Sequence, residues 1–255
     1  MTNVSLLAIV AYVLLLALRR SGSTATRVGR AVALLVGVAP AAWVMAAHGV
    51  TPRLVVGFGV LFFVGSVLLK TAIYLGFLSK YVYPHTGAAS KAVIQGFLSS
   101  GCEIGAAAVA FGLVFRNLGL WQVFGFGAGA AACEAITLSV LEKPLAGTSL
   151  GEHTAVQIDK LQSGPGWLAV ALPVAERGVA TTAHIACRGV LATGIASGRA
   201  WPIAVAALAF AFIDGFVMYG LTRKWEFAHP AVAARLFGPL VLVATGCVVA
   251  WRVAT

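Results

Sequence analysis

Runs of about twenty apolar residues recur along the whole chain, broken by short polar clusters, and nothing else constrains the fold as tightly. A bilayer core roughly 30 Å thick takes about 20 apolar residues of helix to cross. Backbone polar groups inside lipid must be bonded internally, which leaves helices or a closed barrel. No alternation of period two appears, so the reading is an all-α, polytopic helical bundle. Eight spans are expected, at about 4–18, 31–50, 54–78, 92–115, 118–141, 166–196, 200–222 and 232–251.

Composition agrees. The 255 residues are 60% hydrophobic and only 10% charged, against about 25% charged in soluble domains. A single membrane domain over 1–255 follows. The net charge of +10 does not point to nucleic acid, because the basic residues sit at span ends rather than in an aromatic-interleaved patch. The four cysteines, Cys102, Cys133, Cys187 and Cys247, each lie within an apolar run and form no CxxC pair. They read as buried thiols rather than as zinc ligands or disulfides. The apolar N-terminus followed by basic residues reads as a signal anchor, not a cleaved leader.

Lys and Arg set the expected orientation. One set of connections holds Arg19, Arg20, Arg27, Arg30, Lys80, Lys91, Lys143, Lys160, Arg223, Lys224 and Arg235; the other holds only Arg53, Arg116, Arg199 and Arg252. Both termini are therefore expected outside, in a bacterial inner or plasma membrane. The larger connections, Ser79–Lys91 and Glu142–Gly166, face the cytoplasm on this reading. A short interfacial helix could lie over Gly151–Gln162.

Charges at membrane depth are the functional signal. Each costs at least about 2.5–3.5 kcal/mol on insertion scales, so each needs a partner, a cavity or a proton. Glu103, Glu134, Glu176 and Asp214 fall on four consecutive spans at similar depth, which predicts one shared polar chamber. Gly101, Gly105 and the Gly125–Ala132 stretch leave room for close helix packing or for a ligand. Arg177 is expected to pair with Glu134 or Asp214, Lys70 to snorkel or to pair with a chamber acid, and Arg188 to snorkel outward. Glu176 and His184 are eight residues apart, about 80° in azimuth and about 12 Å along a helix. They can line one wall but can share a metal only if Gly178 distorts the helix. Tyr74 is a further candidate for substrate contact, beside its simpler role as an interfacial aromatic. No nucleotide-binding, HExxH or GxSxG motif is present.

Four blocks, Gly101-Cys102-Glu103-Ile104-Gly105, Gly127 to Glu134, Glu176-Arg177 through His184, and Phe210 to Asp214, resemble the YhfC family of intramembrane metallopeptidases, relatives of the CAAX-protease-like group. Their order spans roughly the last two-thirds of the chain. The family's first block usually reads Glu-Glu-x-Gly-Arg, where this chain has Cys102 and Ala106 at the first and last positions. Family histidines are replaced by Ala130 and Phe210. The resemblance implies hydrolysis of a hydrophobic, membrane-associated peptide. Glu103, Glu134, Glu176 and Asp214 would be its catalytic acids. His184 with Glu176 would hold a divalent metal such as zinc. The retained acids and missing histidines also suit metal-independent acid–base chemistry on a lipid or isoprenoid, as in terpene cyclases. A third expectation is a non-catalytic homologue, a transporter or a binding protein, although no inverted repeat is visible.

Overall fold

The computed structural model describes residues 23–51, 53–115, 118–140, 166–227 and 229–254. Helix α1, Thr24–His48, opens at Ser23, whose hydroxyl accepts a hydrogen bond from the Thr26 N–H at 3.2 Å. It stops at Gly49 in a left-handed conformation, φ 59°, a geometry glycine adopts without strain. A turn of π-helix, Arg53–Phe58, leads into α2, Gly59–Ile73. The helical path then continues as a wider π segment over Tyr74–Val82 and a 3-10 turn at Tyr83–His85. The connection expected over Ser79–Lys91 is therefore largely helical, closing at Pro84, which has no N–H to continue the ladder. Next come α3, Ala88–Val109, α4, Leu120–Val140, α5, Gly166–Ser197, α6, Ala200–Thr222, and α7, Pro230–Ala254.

Among the described residues there is no strand. Within those described residues, six helical segments are long and apolar enough to cross a membrane: Thr24–His48, Gly59–His85, Ala88–Val114, Gly166–Ser197, Ala200–Thr222 and Pro230–Ala254. Seven of the expected spans overlap helices, with most ends within four residues; α1 begins seven residues before the expected start at 31, and the path from α2 runs to His85, seven beyond the expected end at 78. The expected span at 4–18 and the interfacial helix at 151–162 lie outside the described residues. Leu61, Leu68, Leu113 and Leu242 are each more than 60% exposed. Large aliphatic side chains turned outward on several helices suit a lipid environment rather than water.

Helix α5 is the axis of the bundle and packs against α1, α4, α6 and α7, while α3 runs along α6. The α3–α6 contact is close because both helices present small residues four apart, Ala92 and Gly96 against Ala211 and Gly215. A methyl at Gly96 would overlap the Ala211 carbonyl oxygen. One apolar core holds Phe111, Phe126, Val190 and Phe210. A second, between α1, α4 and the π turn before α2, holds Leu34, Val44, Val55 and Ala135. A third joins α5, α6 and α7 through Val179, Ile213 and Leu240. Polar side chains collect between these cores.

Candidate functional site

Five helices contribute to one polar network. From α2, the Lys70 ammonium donates to Glu103 Oε1 at 2.8 Å and to Ser99 Oγ at 3.0 Å, both on α3. Ser99 in turn donates to Asp214 on α6, whose carboxylate lies 3.9 Å from Lys70 Nζ. Glu103 is 4% exposed, and its second oxygen, Oε2, lies 3.6 Å from Arg188 Nη2 and 4.0 Å from His184 Nδ1, both on α5. Arg188 Nη1 donates to His184 Nδ1 at 2.6 Å. Arginine has no acceptor, so Nδ1 must accept, and the imidazole proton is assigned to Nε2. Nε2 then donates to Glu134 Oε2 on α4 at 2.9 Å. Arg177 Nη1 lies 3.1 Å from the same oxygen. Arg177 also forms a two-pronged pair with its neighbour Glu176, donating from Nε at 2.6 Å and from Nη2.

The structure thus brings together Glu103, Glu134, Glu176, Asp214, Arg177 and His184, with Lys70, Ser99 and Arg188. Helix α5 supplies the string: Glu176 to Arg188 is twelve residues, about 18 Å of helix. Tyr74 stands apart, edge-on to Tyr83 at 5.6 Å in an apolar cluster with Leu78 and Met218. The expectation that Arg188 snorkels outward is corrected. It is 2% exposed and its guanidinium also lies 5.7 Å from the Phe210 ring. Its sequence position near a span end hid this, since distance from the helix terminus does not reveal which way a long side chain turns. Ser99 was not singled out from sequence, because serine in an apolar helix usually bonds its own backbone.

Four carboxyls, Glu103, Glu134, Glu176 and Asp214, meet three cations, Lys70, Arg177 and Arg188, and one imidazole. Four negative charges against three positive leave one, which a single proton in the cluster cancels. In a low-dielectric interior that balance matters, because an uncompensated charge is expensive. Access to the network is uneven. The Asp214 and Glu134 side chains are 34% and 26% exposed, whereas Glu103 is buried between them.

The described residues of the network do not fit a catalytic metal. Helix α5 runs unbroken through Gly178 from Gly166 to Ser197, so nothing brings Glu176 beside His184. Both His184 ring nitrogens are engaged by protein groups. Among the described residues no three His, Cys, Asp and Glu side chains are arranged to hold an ion. The Arg188 guanidinium occupies the place a cation would take between His184 Nδ1 and Glu103 Oε2. Phe210, where the resembling family has a histidine, puts its ring centroid 5.5 Å from that of His184. Ala130, at the other replaced histidine, is a buried methyl. All four cysteines are free thiols, and Cys187 and Cys247 lie 3.7 Å apart, sulfur to sulfur.

Comparison with protein-family models, with curated proteins and with solved structures gives no match.

Proposed function

We propose that the chain is a membrane-embedded enzyme that does acid–base chemistry on a hydrophobic, lipid- or isoprenoid-like substrate, using its own carboxyls in place of a metal. The observation that carries this reading is the Arg188 guanidinium seated between His184 Nδ1 and Glu103. A built-in cation there donates to His184 Nδ1 and faces Glu103 Oε2 across 3.6 Å as an ion pair without a hydrogen bond. Of the accessible carboxyls, Glu176 is held two-pronged by Arg177 on its own helix, which leaves Asp214 and Glu134 to meet a substrate.

Asp214 is the better proton donor of the two, because Arg177 at 3.1 Å and His184 Nε2 at 2.9 Å hold Glu134 as a carboxylate, whereas Asp214 meets Ser99 and stands 3.9 Å from Lys70. A proton passes from the Asp214 carboxyl to a carbon of a substrate alkene. The resulting cation is quenched when the product loses a proton to a carboxylate of the network. Such an isomerisation or cyclisation is redox-neutral and needs no second reactant. The buried pairs hold the acids in place during the transfer, which is where preorganised charge contributes most.

The test is deuterium incorporation. Protein purified in detergent and incubated in D2O with a total membrane lipid extract should add deuterium to one lipid species, detected by mass spectrometry. Asp214→Asn should abolish it. No incorporation by the unaltered protein, or equal incorporation by Asp214→Asn, would overturn the reading. Zinc-dependent cleavage of a membrane peptide by the same preparation would instead support the metallopeptidase activity that the YhfC resemblance implies.

The topology proposed with this function is eight crossings, both termini outside, in a bacterial inner membrane. Its support is the excess of Lys and Arg on one set of connections. A C-terminal alkaline phosphatase fusion should be active in the periplasm, and a C-terminal fluorescent-protein fusion dark.

A further inference from the structure

Two glycines bring α3 and α6 together. A methyl at Gly96 would overlap the Ala211 carbonyl oxygen, and one at Gly215 would come within 2.8 Å of the Ala92 carbonyl oxygen. That approach lets a side chain as short as Ser99 reach across to Asp214, the neighbour of Gly215. Ser100 makes a second crossing, donating to the Ala207 carbonyl at 2.8 Å. Ser66, Thr182 and Thr193 turn their hydroxyls back to carbonyls of their own helices. The fully buried Ser99 hydroxyl instead meets three charged side chains: Lys70 Nζ at 3.0 Å, Glu103 Oε1 at 3.3 Å and Asp214 Oδ2.

A hydroxyl has one proton to give and two lone pairs to receive. Lysine can only donate, so Lys70 takes one lone pair. One proton and one lone pair remain for two carboxyl oxygens. Were both groups carboxylates, one of those oxygens would face a lone pair inside the bundle, where an unmet polar group is costly. One added proton settles the count. The protonated carboxyl donates to Ser99 Oγ, and Ser99 donates to the other. Neighbouring cations say which is which. Glu103 faces Lys70 at 2.8 Å and Arg188 at 3.6 Å, whereas Asp214 has Lys70 at 3.9 Å. The charge therefore rests on buried Glu103 and the proton on the more exposed Asp214. His184 does not extend the bridge, because its Nδ1 lies 4.0 Å from Glu103 and accepts from Arg188.

We infer that Asp214 and Glu103 hold one proton between them across Ser99 Oγ, and that Ser99 is the positioning residue that keeps Asp214 loaded as the acid. The use made of that proton rests on the acid–base reading. As the Asp214 O–H bond breaks and the substrate C–H bond forms, the Ser99 hydroxyl turns from Glu103 to the new Asp214 carboxylate. Its own O–H bond stays intact, and Lys70 keeps Glu103. When Asp214 recovers a proton from the product, Ser99 turns back.

The test is infrared spectroscopy of the purified full chain at neutral pH, with no substrate. One protonated-carboxyl carbonyl band per chain is expected, shifting in D2O. Asp214→Asn and Glu103→Gln should each abolish it, since either removes one partner of the shared proton. Glu134→Gln also removes a network carboxyl but should leave the band in place. Ser99→Ala should shift the band upward or abolish it, and Ser99→Cys, close in size with a weak S–H donor, should give a smaller change. Thermal unfolding identifies the folded variants, and the Asp214 and Ser99 substitutions decide the matter if Glu103→Gln does not fold. No such band, a band that survives Asp214→Asn, or one unchanged in Ser99→Ala would overturn the inference. Band and deuterium incorporation fail separately. A band that behaves as stated, with no lipid taking up deuterium, keeps the shared proton and removes the proposed reaction; uptake with a band indifferent to Ser99 does the reverse.

Discussion

Helix α5 and the helical path Gly59–His85 that α2 begins both carry cations into the middle of the bundle, yet 67% of the most apolar stretch of α5 is buried against 11% of that of Gly59–His85. Helix α5 holds Arg177, His184 and Arg188 inside four neighbouring helices. Helix α2 contributes Lys70 and shows Leu61, Leu68 and Leu69 to the outside. The same kind of side chain is thus a fixed strut in one helix and a tether in the other. Helix α2 is also bracketed by π-helical turns, Arg53–Phe58 and Tyr74–Val82. Such turns widen the backbone and are frequent at functional sites. On the proposed acid–base function, helix α2 is the wall best placed to move and admit a substrate to Asp214, while α5 keeps the network in register.

The largest effect should come from the strut. Arg188→Ala leaves Glu103 with Lys70 alone, strips His184 Nδ1 of its donor and sets four carboxyls against two cations, so it should lower stability by about 3–5 kcal/mol, the range for removing one partner of a buried ion pair. Thermal unfolding in detergent measures it. The same variant frees His184 Nδ1 and Glu103 Oε2 for an added cation, so zinc should restore part of the lost stability in Arg188→Ala and none in the unaltered protein. A loss below about 1 kcal/mol, the range of an exposed pair, would mean that α5 is not the strut described.

The tether should matter less. Lys70→Met removes charge-assisted hydrogen bonds to Glu103 and Ser99 but leaves Glu103 within reach of Arg188. The expected loss is about 1.5–3 kcal/mol. If α2 is a movable wall, hydrogen exchange in Gly59–Ile73 should rise in this variant while exchange in Gly166–Ser197 stays slow. Equal loosening of both helices would erase the distinction between them.

How much of this could be read from the residues follows the same division. Helix positions were legible because lipid forces long apolar runs, and α6 begins and ends where the sequence reading put it, at 200 and 222. The gathering of Glu103, Glu134, Glu176 and Asp214 was legible because charges at membrane depth must find partners. The pairing itself was only partly legible. Arg177 reaches Glu134 as expected, and Lys70 takes the chamber acid Glu103 rather than snorkelling. Arg188 was misjudged, because its place in the chain says nothing of the inward turn that sets it against His184 and Phe210. Two cavities beside Trp251 were invisible, since they arise from how five segments fail to fill one end of the bundle and not from any motif.

The smallest effects test packing alone, with no charge involved. A methyl added at Gly127 on α4 would come within 2.7 Å of Ile185 Cα on α5, against backbone that cannot step aside. Gly127→Ala should therefore cost about 1–3 kcal/mol, as overpacking does. Gly65 on α2 has nothing within 4 Å of the corresponding methyl. Gly65→Ala should stabilise the protein by about 0.5–1 kcal/mol, because alanine loses less chain entropy than glycine in a helix interior. The two substitutions are chemically identical, so the difference in sign reads only the surroundings of each helix. Thermal unfolding of both variants in one detergent decides it. A clear loss in Gly65→Ala would mean that α2 is packed against something on its outer face, such as a second copy of the chain, and that its freedom to move is less than its exposed surface suggests.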